Sequence, residues 1–178
     1  MKVKTLSVMV VFISLFLIGC QKVNPTVQDN NGETNTIWVD TELTDVQSGE
    51  TFHISDFKGQ KILLESFAVW CPTCTQQQKE IKKLHQELGD TFVSISLDTD
   101  PNEDVTIIQE HIDRNGFDWH YAISPRELTQ SLIDEFGIGV VNAPSAPVVL
   151  ICEDQSTHYL GRGLKLVDEL KEELEVNC

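Results

Sequence analysis

Basic residues are scarce in this chain. Among 178 residues, 13 Lys and Arg stand against 28 Asp and Glu, a formal net charge of −15. A surface so poor in cations repels phosphate backbones, which excludes nucleic acid as a natural partner. It offers no electrostatic route onto anionic lipid either, and the charge reads as solubility. Long hydrophobic runs are missing too. The apolar stretch 6–18 has 13 residues, short of the roughly 20 that a spanning helix needs. There is no internal repeat, and the length is too small for two ordinary domains. Closely spaced Cys and His are limited to Cys71 and Cys74, whereas a structural zinc site takes four ligands. What is present, 40% hydrophobic and 23% charged residues, is the profile of one globular domain with a sizeable core.

The N-terminal segment is a targeting element to be set apart from the fold. Lys2 and Lys4 precede the apolar stretch, and Leu17-Ile18-Gly19-Cys20 closes it. These residues resemble the lipobox of prokaryotic lipoproteins. The resemblance implies a signal peptide over 1–19, cleaved before Cys20, which becomes a lipidated N-terminus. The alternative is an uncleaved anchor helix with an incidental cysteine. Either version holds the domain on the outer side of the cytoplasmic membrane. Without 1–19 the chain keeps 11 basic and 28 acidic residues, a charge of −17. Residues 20–36, rich in Asn, Gln and Thr and containing Pro25 and Gly32, form a flexible tether. The domain proper is 37–178.

Periodicity predicts the order of elements. A loose alternation over 38–57, with a turn at Gln47-Ser48-Gly49-Glu50, predicts a β-hairpin whose second strand is 51–54. A polar turn over 55–59 leads to a buried strand at 61–67. Ile81, Leu84 and Leu88 mark one face of a helix over 75–88, which Gly89 stops. A strand at 91–97 completes a right-handed βαβ unit. A helix over 103–115, an extended segment at 117–123 and a helix opening on a Ser124 N-cap with Pro125 at N1 follow. A strand at 147–152, a return strand at 157–160 and a helix over 166–176 end the chain. The fold class is α/β: a central mixed sheet flanked by helices, with an N-terminal β-hairpin extension.

The chemistry converges on Trp70-Cys71-Pro72-Thr73-Cys74, where a buried strand turns into a helix. Free amides and the positive dipole end at a helix N-terminus favour a thiolate. Cys71, expected to be the more exposed, is the nucleophile, and Cys74, expected to be buried, is the resolving thiol. A metal clip or two structural thiols are the alternatives. Glu65 sits inside an apolar strand six residues before Cys71. It is either buried, with its pKa raised toward neutrality, or turned outward at a strand edge. Cys152 and Cys178 are candidates for a structural disulfide, for two separate thiols, or for a second exchange-active pair.

The element order, together with Ser55-Asp56-Phe57-Lys58-Gly59, the Trp70–Cys74 motif and the late Pro147, resembles the thioredoxin fold. Within it the chain resembles the membrane-anchored TlpA-like thiol–disulfide oxidoreductases. Its Cys-Pro-Thr-Cys sequence is similar to that of proteins of cytochrome c maturation. The resemblance implies that Glu65 transfers protons beneath the dithiol. It also implies that Pro147 is a cis-proline facing the pair, with the Ala146 backbone free to dock a substrate peptide. Trp70, Pro72 and Thr73 then shape the docking surface, Trp70 packing over the dithiol. Gln77 departs from the glutamate that several such relatives carry, and is expected on the helix surface. The implied activity is exchange of disulfides outside the cytoplasm, reducing apo-cytochrome c or other exported proteins. A membrane electron donor supplies it, and no cofactor takes part. A copper metallochaperone built on Cys71, Cys74 and His158 is the alternative, and a peroxidase a weaker third.

Overall fold

The computed structural model describes residues 37–178; the expected signal segment, Cys20 and the expected tether lie outside the described residues. Strands β1 (Leu43–Thr44) and β2 (Thr51–Phe52) pair antiparallel, Leu43 opposite Phe52. Asp45 closes the loop between them: its Oδ1 accepts from the backbone N–H groups of Gln47 (3.0 Å) and Ser48 (2.8 Å), and its carbonyl from Gly49 (2.8 Å). The second strand is shorter than its pattern suggests. The Asp56 carboxylate accepts the His53 N–H at 2.7 Å and draws Ile54–Phe57 into a 3-10 turn. Such local side-chain acceptors compete with a strand ladder.

The main sheet has five strands: β3 (Lys61–Phe67), β4 (Phe92–Asp98), β5 (His120–Ile123), β6 (Val148–Ile151) and β7 (Thr157–Tyr159). Their order is β5-β4-β3-β6-β7. β5, β4 and β3 run parallel, β6 pairs antiparallel with β3 and β7 antiparallel with β6, and β3 lies at the centre between β4 and β6. This is the mixed sheet expected from the resemblance to thioredoxins. Four helices cover it: α1 (Pro72–Leu88), α2 (Val105–Asn115), α3 (Arg126–Phe136) and α4 (Val167–Val176).

Side chains of β3 alternate between two cores, as the pleat dictates. Leu63 and Phe67 join Ile81 and Leu84 of α1, Ile108 and Ile112 of α2, and Leu170 and Leu174 of α4. Ile62 and Leu64 face the opposite core with Trp38 and with Leu128 and Leu132 of α3. Trp38 and Trp119 are buried, as expected of core residues. Helix α1 starts at Pro72 rather than 75, because proline at the first helical position has its φ already set and gives up no helical hydrogen bond. At α3 the N-cap is Pro125, one residue later than expected; the Ser124 hydroxyl bonds Thr129 Oγ1 at 2.8 Å instead of capping. A disulfide joins Cys152, just past β6, to Cys178, with Cα atoms 5.2 Å apart.

Candidate active site

Cys71 is the N-cap of α1, the point at which the central strand has ended and the helix amides begin. It is disulfide-bonded to Cys74, with Cα atoms 5.3 Å apart. The two sulfurs are not equivalent. The Cys74 backbone N–H donates to Cys71 Sγ at 3.1 Å, whereas the Ala143 carbonyl oxygen lies 2.9 Å from Cys74 Sγ and 3.5 Å from Cys71 Sγ. A donor stabilises a thiolate, and an acceptor holds a thiol in its protonated form. In the reduced state the geometry therefore favours charge on Cys71 and a proton on Cys74. The expected difference in exposure is absent. Both cysteines are 1% exposed, because the Ala143 turn lies across both sulfurs.

Trp70 does not pack over the pair. It is 59% exposed, and its indole N–H donates to Asp100 Oδ2 at 2.5 Å, which holds the ring at the rim and keeps the Asp100 carboxyl below the usual range. Pro72 is exposed and Thr73 half-buried beside it. A groove of about 270 Å³ opens there, lined by Ala68, Trp70, Thr99, Asp100, Asn142 and Pro144 among others. Behind the rim, the Glu103 carboxylate accepts the backbone N–H groups of Val69 (2.7 Å) and Trp70 (3.3 Å) and so braces the approach to Cys71. Asp98 ends β4 at 1% exposure; burial, then the charges of Glu103 and Asp100, push its carboxyl up to about 7. Sequence reasoning missed Asp98, Asp100 and Glu103, of which Asp98 carried a signal. An acid at the end of an apolar strand carries the same signal that singled out Glu65.

Glu65 points inward, 2% exposed, on the face of β3 that Leu63 and Phe67 share with the cysteines. Ser96 Oγ donates to its Oε1 at 2.5 Å and itself accepts from Trp119 Nε1 at 2.8 Å. Burial pushes the carboxyl up to about 7, against the opposing pull of Ser96, Gln78 of α1 and the charge of Lys165. The outward, merely solvated orientation does not occur.

Gln77 is fully buried, contrary to the expected surface position, because α4 and the segment before it cover this side of α1. Its amide bonds both backbone groups of Lys165: Oε1 accepts from N–H at 2.8 Å and Nε2 donates to the carbonyl at 3.1 Å. Lys165 was missed as well. Its signal is an inverted pattern, Leu164 and Leu166 exposed with the lysine buried between them.

The turn before β6 also differs from expectation. No peptide bond among the described residues is cis, so Pro147 follows a trans bond. Ala146 turns the chain by adopting the left-handed conformation (φ 45°, ψ 58°). Its N–H donates to the Ala143 carbonyl at 2.8 Å, and its carbonyl accepts from Lys165 Nζ at 2.8 Å. The Ala146 backbone is thus engaged internally instead of free for a peptide. His158 lies on β7 opposite Leu150, and among the described residues no three His, Cys, Asp or Glu gather to hold a metal, so the copper site is not assembled.

The Redoxin family profile matches residues 22–173. The thioredoxin-like protein YneN of Bacillus subtilis is 36% identical over 50 residues, 28% of this chain and 29% of that protein, so the match spans under a third of the relative. A secreted Mycobacterium tuberculosis disulfide oxidoreductase homologous to E. coli DsbE is similar in structure, with TM-score 0.60 at 15% identity over 79% of this chain and 98% of that one. A secreted thiol-disulfide isomerase from Corynebacterium glutamicum gives TM-score 0.63 at 16% identity over 75% and 80%. These structural likenesses speak for the fold. The profile match runs through every strand of the sheet and through the helix that carries the disulfide-bonded Cys71 and Cys74, and the chain accordingly belongs to the Redoxin family.

Proposed function

We propose that this protein reduces disulfides of exported proteins outside the cytoplasm, held at the membrane through a lipid on Cys20. The observation that carries the mechanism is the unequal hydrogen bonding of the two sulfurs, a donor on Cys71 and an acceptor at Cys74. The Cys71 thiolate attacks one sulfur of the substrate disulfide, forms a mixed disulfide, and releases the other sulfur as a thiolate. Glu65 takes the proton of Cys74. The Cys74 thiolate then attacks Cys71 Sγ, the Cys71–Cys74 bond forms, and the remaining substrate sulfur leaves as a thiolate. Two electrons pass to the substrate, and a membrane donor restores the dithiol.

Trp70, Pro72 and Thr73 form the rim that meets the substrate, which lies in the groove toward Pro144. Pro147 orients the turn that backs the pair. The lipobox-like Leu17-Ile18-Gly19-Cys20 supports the location, and relatives described as secreted agree with it. Apo-cytochrome c is one candidate substrate, suggested by the Cys71-Pro72-Thr73-Cys74 sequence.

Substitution Cys74→Ser removes the resolving thiol. It is expected to trap substrates as mixed disulfides on Cys71, identifiable by mass spectrometry of the membrane fraction. Absence of any trapped species in cells overturns the exchange role. The reduction potential decides direction: a value near about −270 mV marks a reductant and one near about −120 mV an oxidant.

A further inference from the structure

Trp70 leaves a large apolar ring in water immediately before Cys71. The ring is nevertheless fixed. Its indole N–H donates to Asp100 Oδ2, and Asp100 Oδ1 accepts from the backbone N–H and the side-chain amide of Asn102, both at 2.9 Å. A braced carboxylate at the ring edge thus holds the indole in place of packing over its faces. Among the described residues the one cation over an aromatic ring is Lys82, 5.9 Å from the centre of Phe117, so none of these cations covers Trp70.

The groove of about 270 Å³ that Trp70 walls has Asp100 as its charged lining residue and, among the described residues, no Lys or Arg. Ala68, Pro101, Val141 and Pro144 make much of the remaining wall apolar. Ala143 lines it too, and its carbonyl lies 2.9 Å from Cys74 Sγ and 3.5 Å from Cys71 Sγ, so the groove reaches the dithiol. The acids here work against the redox pair, because a carboxylate near a thiol disfavours its thiolate. Asp100 and Glu103 both bond Trp70, the residue before Cys71. Asparagine and glutamine would accept the same N–H groups without the charge. Hydrogen bonding therefore does not account for a carboxylate at 100, whereas attraction for an incoming cation does. An indole that gives its N–H to a carboxylate also presents a more negative ring face, the feature that attracts ammonium and guanidinium groups.

We propose that Trp70 and Asp100 form a slot for an arginine or lysine side chain beside the cysteine of a polypeptide substrate, and so select positively charged sequences for exchange. The aliphatic stem lies along the apolar wall, with the charged head on the indole face and toward the Asp100 carboxylate. An acidic side chain in the same place is repelled. The slot binds a part of the substrate that does not react. Its effect therefore falls on the substrate concentration giving half-saturation, and the rate at saturation is unchanged. The inference rests on the reading of this rim as the surface that meets the substrate.

The test is single-turnover reduction of cyclic peptide disulfides by the pre-reduced full-length protein, quenched in acid and resolved by chromatography. In each turnover the Cys71–Cys74 dithiol becomes a disulfide and the peptide disulfide becomes two thiols. The peptides differ at one position beside a cysteine, which is Arg, Gln or Glu, and their rates with dithiothreitol alone correct for intrinsic reactivity. An exposed cation–π contact and an exposed ion pair together are worth roughly tenfold, so the Arg peptide should half-saturate at about a tenth of the concentration the Gln peptide needs, and the Glu peptide above both. Asp100→Asn keeps an acceptor for the indole and should cut the Arg preference to about threefold; Trp70→Leu should cut it similarly. Equal half-saturation by the Arg and Gln peptides, or a preference that both variants keep in full, overturns the proposal and leaves the exchange reaction standing. Failure to reduce any of the peptides overturns the exchange reading, and the proposal with it. Should either variant not fold, salt decides in the wild type: raising ionic strength from about 0.05 to about 0.5 M should shrink the Arg preference, and a preference that stays constant overturns the slot.

Discussion

Glu65→Gln separates the energetic cost of the buried acid from its use. The side chain is 2% exposed, and its carboxyl titrates at about 7 against a usual value of 4.5, with burial as the main cause. Below pH 4.5 the group is protonated in both folded and unfolded chains and imposes no penalty. As pH rises from 4.5 toward about 7, the unfolded chain ionises first, and folding must return a proton to the acid. Stability is thus lost on the alkaline side, the sign expected of a raised carboxyl. At roughly 1.4 kcal/mol per pH unit, the interval between 4.5 and about 7 corresponds to a loss of about 3 kcal/mol, nearly complete by pH 7. Glutamine has the same shape, can accept from Ser96 Oγ, and does not titrate. Urea unfolding of the oxidised protein at pH 4, 5.5, 7 and 8 checks this directly. The two proteins should be close at pH 4, with the variant about 3 kcal/mol more stable at pH 8. The buried Asp98 titrates in both proteins and cancels in the difference. A difference independent of pH refutes a raised Glu65, whatever the variant does to exchange.

Gln77→Leu removes both partners of the buried Lys165 backbone. Two polar groups left unpaired cost roughly 1–3 kcal/mol each, so a loss of about 3 kcal/mol is expected in chemical unfolding, and a change below about 1 kcal/mol refutes the account. Cys178→Ser opens a loop of 26 residues closed by Cys152–Cys178. Chain entropy predicts a loss of about 3 kcal/mol under oxidising conditions. Unchanged thermal unfolding would mean that α4 and the docking of Leu170 and Leu174 alone hold the C-terminus.

The elements legible in the sequence are those whose local pattern and tertiary role agree. The run 61–67 is apolar on both faces because β3 is the central strand with a core on each side, and the observed bounds match the expected ones. Gly89, Gly116 and Gly137 end α1, α2 and α3 where the stripes stop. The inward turn of Glu65 was one of two orientations the sequence left open, and the carboxyl's surroundings resolve it. Positions decided by distant partners were not legible. Gln77 is polar on an exposed-looking face until a segment 88 residues later covers it. Lys165 reads as surface charge until Ala146 and Gly161 supply carbonyls. Trp70 is drawn to the rim by Asp100, 30 residues away. The trans bond before Pro147 and the left-handed Ala146 are backbone choices that residue types alone do not specify.

Two buried acids titrate at about 7, Glu65 on the central strand that leads to Cys71 and Asp98 at the end of the parallel neighbour β4. Their surroundings differ in sign. Glu65 has the Lys165 charge to draw its proton away, whereas Asp98 has Glu103 and Asp100 to hold its proton on. Glu103 carries the N–H groups of Val69 and Trp70, so the charge around Asp98 is coupled to the position of the rim, whereas on the proposed mechanism the charge of Glu65 is coupled to the thiol chemistry. A pH profile of turnover contains both, as macroscopic steps belonging to neither residue alone. The split between them is chemical. On the proposed mechanism, a change in Glu65 is expected to alter the step in which Cys74 loses its proton, and a change in Asp98 how the rim presents Trp70 to a substrate. The first belongs in the rate at saturating substrate, the second in the substrate concentration needed to reach it.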